Sequence, residues 1–241
     1  MEKKLALVTG ASKGIGKAIA KELHKKGFLL AIHYNSSKEF AESLLKELGE
    51  GFLIEADIST IEGCDKIYEE IKKSNLSLEV LVNNAGFVKD NPLFSATLEE
   101  FEKMVSINMK SVWYLTKRLI RFMIRNKRGR IINISSVIGS TGNPTQSVYG
   151  MTKAAIDNFT KTIAMELAEH GILVNSVAPG FIDTDMTKNL PDEHKKGILD
   201  KIPLRRMGNP EEVAEVVAFL ATSGTYITGT TIHVNGGLYC G

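Results

Sequence analysis

The sequence predicts an α/β protein: a doubly wound, parallel, seven-stranded sheet with helices on both faces. Two observations carry this. Seven short apolar runs of β type lie along the chain, with helical patterns between the first six. Strands that are apolar on both faces and separated by helices belong to a parallel sheet covered on both sides. The first run also leads straight into a glycine-rich turn and a helical pattern, and right-handed crossovers of such βα units build a doubly wound sheet.

The elements follow in order. Leu5–Val8 is the first strand. Ile15, Ile19 and Leu23 recur every four residues, and Gly27 after Lys25 and Lys26 stops that helix. Phe28–His33 is the second strand, and Ser37 is the candidate N-cap for a helix over Lys38–Leu48. Phe52–Glu55, Val80–Val82, Arg130–Ile134, Leu173–Ala178 and Thr230–Val234 supply the remaining strands. There is no linker, repeat or low-complexity stretch, so residues 1–241 form one domain. Its least regular part, 181–207, is polar, carries Pro191 and Pro203, and is expected to act as a flap over a site.

Composition narrows the function classes. The chain is 43% hydrophobic and 24% charged, which excludes disordered, coiled-coil and membrane-spanning classes. Thirty Lys+Arg against 28 Asp+Glu leave a net charge of +2, too small for a strong nucleic-acid binder. Cys64 and Cys240 form no paired motif and are expected to be thiols in a reducing compartment. The apolar run Leu5–Val8 is too short for a signal-peptide core and no run approaches a membrane span, so the expectation is a cytoplasmic protein. His24, His33, His194 and His233 show no metal-ligand spacing and are read as surface or packing residues; no metal site is expected.

The turn Thr9-Gly10-Ala11-Ser12-Lys13-Gly14-Ile15-Gly16 has the chemistry of a dinucleotide-phosphate site. Glycine lets backbone approach a phosphate, and the following helix N-terminus offers free N–H groups and a positive dipole end. At the end of the second strand an NAD enzyme usually places a carboxylate on the ribose hydroxyl. Here the segment is His33, Tyr34, Asn35, Ser36 and Ser37, and the first acid is Glu39. Small hydroxyl and amide groups, with Lys13 from the glycine turn, favour NADP(H) over NAD(H).

Tyr149 and Lys153, four residues apart, share one face of a helix that runs towards His170. A neighbouring ammonium is expected to lower the tyrosine pKa, so that the phenol exchanges a proton with an alkoxide near neutral pH. Ser136 lies thirteen residues earlier, just past the fifth strand, where α/β sites form. It is placed to hydrogen-bond a substrate carbonyl. No Gly-x-Ser-x-Gly turn is present, which disfavours serine hydrolysis.

These pieces together resemble the short-chain dehydrogenase/reductase family over essentially the whole chain. The resemblance rests on Thr9-Gly10-x-x-x-Gly14-x-Gly16, Asn83-Asn84-Ala85-Gly86, Asn108, Ser136, Tyr149-x-x-x-Lys153 and Pro179-Gly180. Segments such as 178–187, 202–204, 207–214, 226–229 and 233–237 are similar to one subfamily, the 3-oxoacyl-(acyl-carrier-protein) reductases of fatty-acid synthesis. The resemblance implies a Rossmann fold, NADPH as cofactor and a homotetramer. It implies Tyr149 as proton donor, Lys153 on the nicotinamide ribose, Ser136 on the carbonyl and Asn108 in a proton relay through water. It puts Asp57 and Ile58 near adenine, Asn84, Ala85 and Gly86 along the adenosine side, and Pro179, Gly180, Ile182 and Thr184 near the carboxamide. Gln146 joins Ser136 and Tyr149 as a substrate-facing candidate.

Seven basic residues and no acid lie between Lys117 and Arg130. They are either a solvated helix end or a docking patch for an acidic acyl carrier protein. Of the two places where the family carries docking arginines, Lys127 and Arg128 fit the first and His170 stands at the second. The loop from Lys89 to Ser95 also departs from the subfamily beside the expected substrate cleft. A reductase of acetoacetyl-CoA or another small ketone therefore remains an alternative, as does a catalytically idle dinucleotide-binding sensor or scaffold. Tyr226–Gly241 and Trp113–Leu119 are expected at subunit contacts.

Overall fold

A computed structural model of the protein describes residues 4–184 and 192–241, without the side chains of 192–195. All seven strands pair in parallel in one sheet of order β3-β2-β1-β4-β5-β6-β7. They are β1 (Lys4–Val8), β2 (Leu29–Tyr34), β3 (Phe52–Glu55), β4 (Ser77–Asn83), β5 (Gly129–Ile134), β6 (Ile172–Pro179) and β7 (Thr231–Val234). The helices are α1 (Gly14–Lys25), α2 (Lys38–Leu48), α3 (Ile61–Ser74), α4 (Leu98–Val105), α5 (Ser111–Asn126), α6 (Ile138–Thr141), α7 (Ser147–Leu167), α8 (Asp192–Leu199) and α9 (Pro210–Thr222).

Side chains alternate across the sheet, so each face has its own core. Ala6, Val8, Leu30, Ile32, Val80, Val82, Ile132 and Ile134 pack under α1, α2 and α9. Leu5, Leu7, Leu78, Leu81, Ile131, Ile172 and Val174 pack under α3, α5 and α7. The doubly wound prediction holds, with differences at element ends. β4 starts three residues earlier than its apolar run because Ser77 and Glu79 interrupt the pattern; Glu79 lies against Lys4 at 3.6 Å and Arg128 at 3.2 Å. Ser37 occupies the N-cap position of α2 but makes no side-chain cap bond, whereas Thr60 and Thr97 cap α3 and α4 through their hydroxyls. The flap expectation for 181–207 falls partly on 185–191, which lie outside the described residues.

The chain reverses its winding direction between β1 and β4, and the crevice above their C-terminal ends is where such sheets bind ligands. A buried polar chain braces this region. Asn83 Nδ2 donates to Asn133 Oδ1 at 2.8 Å and to Thr116 Oγ1 at 3.1 Å, and Asn133 Nδ2 donates to Thr160 Oγ1 at 2.9 Å. Two neighbouring strands are thereby tied to α5 and α7. Asn133→Ala leaves Asn83 and Thr160 short of a buried partner. It should cost about 2–4 kcal/mol, read as a lowered urea midpoint at unchanged slope.

Candidate active site

The turn after β1 is held by hydrogen bonds within the protein. Thr9 Oγ1 accepts from the backbone N–H groups of Asn84 and Ala85 at 2.9 and 3.0 Å. Asn84 Nδ2 returns bonds to the carbonyls of Thr9 (2.8 Å) and Gly10 (3.2 Å). Thr9 and Asn84, expected at the cofactor, thus spend these polar atoms on each other and fasten β1 to β4. Gly10 and Gly14 have φ of +63° and +52°. A Cβ on Gly16 would overlap the Gly10 carbonyl oxygen and the Asn84 amide. Lys13, at the N-cap position of α1, makes no side-chain cap bond. This is a cradle that fits a pyrophosphate.

His33 was missed by sequence reasoning as a functional residue. It is buried, Nδ1 accepts the Gly10 N–H at 3.0 Å, and Nε2 lies 3.0 Å from the Ala56 carbonyl. That arrangement requires neutral imidazole with its proton on Nε2. Burial accordingly pushes the His33 pKa down to about 4, against smaller upward pulls from the Ala56 carbonyl and Asp57.

At the outer end of the crevice, Asn35 and Ser36 are exposed beyond β2, and the Lys13 ammonium sits 3.8 Å over the Phe40 ring. Tyr34 is buried, and its hydroxyl reaches Glu55 at 3.4 Å. Asp57 is exposed and accepts the Ser59 N–H at 2.9 Å, beside buried Ile58. Across the crevice, Pro179 ends β6, Gly180 packs on Asn235 so closely that a Cβ would clash, and Ile182 bridges to Gly208. Thr184 reaches the glycine turn, with its methyl 3.5 Å from where a Cβ on Gly14 would lie. Ser12 and Ile15 complete the turn, Ser12 buried and Ile15 packed on the core.

The catalytic candidates converge at the C-terminal ends of β4 and β5. Asn108 lies in a π-helical turn, Ser106–Lys110, of the kind often found at functional sites. Its amide pairs twice with the Phe87 backbone (2.8 and 2.9 Å) and donates to Thr152 Oγ1 at 3.1 Å. Gly86 faces both Asn108 Oδ1 and Lys153 Nζ, and a Cβ there would lie 3.6 and 3.7 Å from them. Lys153 is buried and donates to the Ile134 carbonyl at 2.8 Å. Burial pushes its pKa down to about 8, against the pull of Asp157. The Ser136 hydroxyl lies close enough to the Tyr149 phenol to act on its ionisation.

The Tyr149 pKa is raised, against the expected lowering: burial raises it, the neighbouring Ser136 hydroxyl works against that rise, and the charge of Asp90 adds to it. The Lys153 ammonium is turned towards Ile134, with Nζ 5.6 Å from the Tyr149 ring centre. Gln146 donates to Asp90 at 2.8 Å and accepts from Asn143 at 3.1 Å. Among the described residues, no three His, Cys, Asp or Glu side chains gather as a metal site, and no helix is long and apolar enough to cross a membrane.

Lys127 and Arg128 stand elsewhere. They precede β5, whereas Ser136 follows it, and six extended residues span about 20 Å. Neighbouring His170 precedes β6 at the same sheet end.

A family model described as enoyl-(acyl carrier protein) reductase matches residues 10–239. The chain is 46% identical to the 3-oxoacyl-[acyl-carrier-protein] reductase of Haemophilus influenzae, covering 99% of each chain. It is 44% identical to the Staphylococcus epidermidis protein of that name (98% of this chain, 99% of the relative) and 43% identical to that of Vibrio cholerae (99% and 98%).

Two outcomes follow. Gly16→Ala should weaken dinucleotide binding at least tenfold in a fluorescence titration, because the new methyl displaces the carbonyl that shapes the turn. His33, with its folded pKa below the unfolded 6.5, contributes stability that is complete above pH 6.5 and is lost as pH falls towards 4. Between pH 7 and 4 the wild type should lose about 3 kcal/mol more than His33→Gln by urea unfolding.

Proposed function

Since the chain belongs to the short-chain dehydrogenase/reductase family, we propose that it reduces a 3-oxoacyl thioester on acyl carrier protein to the 3-hydroxyacyl form, with NADPH as reductant. The observation that carries this reading is the placing of the Ser136 hydroxyl, just past β5, beside the Tyr149 phenol in the first turn of α7. Two hydroxyl groups beside each other fit a single carbonyl oxygen that gains negative charge. The ketone is favoured over the activity in the family model's description because the relatives similar over nearly the whole chain carry the name 3-oxoacyl-[acyl-carrier-protein] reductase.

The residues divide the work. Gly10, Gly14, Gly16 and the start of α1 hold the dinucleotide phosphates, and Lys13, Asn35 and Ser36 receive the 2′-phosphate. The cofactor supplies a hydride. Ser136 orients the ketone oxygen, and Tyr149 delivers its hydroxyl proton to that oxygen. The raised Tyr149 pKa keeps the phenol protonated for reduction at neutral pH. Lys153, whose buried Nζ lies 5.6 Å from the Tyr149 ring centre, and Asn108, linked to α7 through Thr152, are the groups assigned to reprotonating the phenol.

The site operates in a homotetramer in the cytoplasm. Half-exposed Trp113 borders an apolar groove with Val105, Met109, Ile156 and Phe159, a surface suited to another subunit. An acidic carrier protein docks on Lys127 and Arg128. Because that edge is opposite the chain's own Ser136, a carrier seated there serves the site of a neighbouring subunit.

The test is loss of NADPH absorbance with a short 3-oxoacyl carrier protein, with the CoA ester, an enoyl thioester and NADH as controls. Turnover is expected with the 3-oxo substrate and NADPH, with a preference for the carrier that fades with salt. Tyr149→Phe should lower kcat by about 10²–10⁴-fold while retaining the fold. Near-wild-type turnover in that variant, or reduction of the enoyl substrate alone, overturns the reading.

A further inference from the structure

Asp90 lies on the loop between β4 and α4. Its Oδ1 accepts the Gln146 amide at 2.8 Å, joining positions 56 apart in sequence. The next residue adds a second link, Asn91 N–H to the Thr145 carbonyl, also 2.8 Å. The loop itself is anchored. Asn91 Nδ2 donates to the Ser95 carbonyl and to Glu100 Oε2, both at 3.0 Å, and Glu100 closes the capping box of α4. The two links therefore run from a braced wall to the segment that begins α7.

That segment needs holding. Thr145 has φ of +71°, a left-handed conformation unfavourable for a β-branched residue. Gln146 is the N-cap residue of α7 but makes no cap bond with its side chain, which goes to Asp90 and Asn143 instead. Tyr149 follows three residues later, in the first turn of α7.

We propose that Asp90 is a positioning residue for the proton donor, acting through Gln146 to hold the first turn of α7 and the Tyr149 hydroxyl against Ser136. The proposal rests on the reading of Tyr149 as the acid. Asp90 also acts by charge, since its carboxylate is one of the causes that raise the Tyr149 pKa. Among the described residues, Lys153, from its own helix, also lies near Tyr149, with Nζ 5.6 Å from the ring centre. Of the elements packed on α7, α6 and β6 carry no titratable side chain. The π-helical turn carries Lys110, and α4 places Lys103 4.6 Å over the Phe87 ring and Glu100 on Asn91.

Two substitutions separate the effects. Asp90→Asn keeps an oxygen for the Gln146 amide and removes the charge. Its kcat should stay near wild type at low pH, while the alkaline limb of the kcat profile, where Tyr149 loses its proton, moves to lower pH. Asp90→Ala removes both, so kcat should fall about tenfold at all pH values, the cost of one charge-assisted hydrogen bond. Recovery of that loss by Asp90→Asn, with equal NADPH affinity and thermal midpoint, distinguishes positioning from damage to the fold. A wild-type pH profile in Asp90→Asn, or a wild-type kcat in Asp90→Ala, overturns the proposal alone. Absence of turnover in the wild type overturns the parent reading and the proposal together.

Discussion

A single buried ammonium sets the terms for the rest of this protein. Lys153 leaves water at the end of β5 and donates to one neutral carbonyl, that of Ile134. Burying a charge on so few partners is expensive, and the pKa falls to about 8 in response. The surroundings are arranged around that cost. Gly86 leaves space at the ammonium, and Gly139 lies so near the Lys153 backbone that a Cβ would sit 2.9 Å from the Ala154 nitrogen. Asp157, one turn further along α7, supplies the compensating field and is itself held by Ser176 at 2.7 Å and Thr231 at 3.2 Å. α7, β5 and β6 are thus locked together by what one lysine needs.

The other half of the site is held by different means to the same end. At the reversal point of the sheet, Asn84 and His33 spend side-chain polar atoms on the backbone of the glycine turn, and Thr9 Oγ1 accepts from the backbone of Asn84 and Ala85. A turn rich in glycine has high conformational entropy when free, and ordering it opposes ligand binding. Fixing it through protein hydrogen bonds moves that cost into folding. The glycine turn and the start of α7 are both held in advance, one by a neutral histidine and the other by the loop that carries Asp90 and Asn91.

Local patterns made much of this legible. The alternation of apolar runs and amphipathic stretches gave the sheet, because strands buried on both faces carry few polar positions to blur the signal. β4 was seen only in part, since Ser77 and Glu79 lie at its solvent-facing start. The glycine turn and Tyr149-x-x-x-Lys153 were legible because one turn or one helix face contains each motif. Residues that act across the fold left no such trace. His33 looks like any histidine in a strand, and its bonds to Gly10 and Ala56 depend on β2 lying between β1 and β3. Asp90 and Gln146 are 56 positions apart, and nothing in either neighbourhood marks the other. The direction of the Tyr149 shift was misread for a related reason. Spacing shows that a lysine is near but not where its ammonium points, nor how much burial the phenol suffers.

Topology also decides how the basic stretch relates to the chemistry. In a parallel sheet every strand ends on the same side, so Ser136, Asn84, Gly10 and Pro179 are gathered at one rim. Every strand also begins on the other side, and Lys127, Arg128 and His170 are placed there by the same rule. Arg128 is partly neutralised by Glu79 at 3.2 Å, which leaves Lys127, the left-handed C-cap of α5 with φ of +47°, as the less encumbered charge. No rearrangement of loops brings these groups to their own active site, because the length of β5 separates them. On the proposed reading, a function for this patch in delivering substrate depends on a second subunit. The fold gathers the strand ends that carry the site at one rim and sets the basic stretch at the other, the length of β5 away.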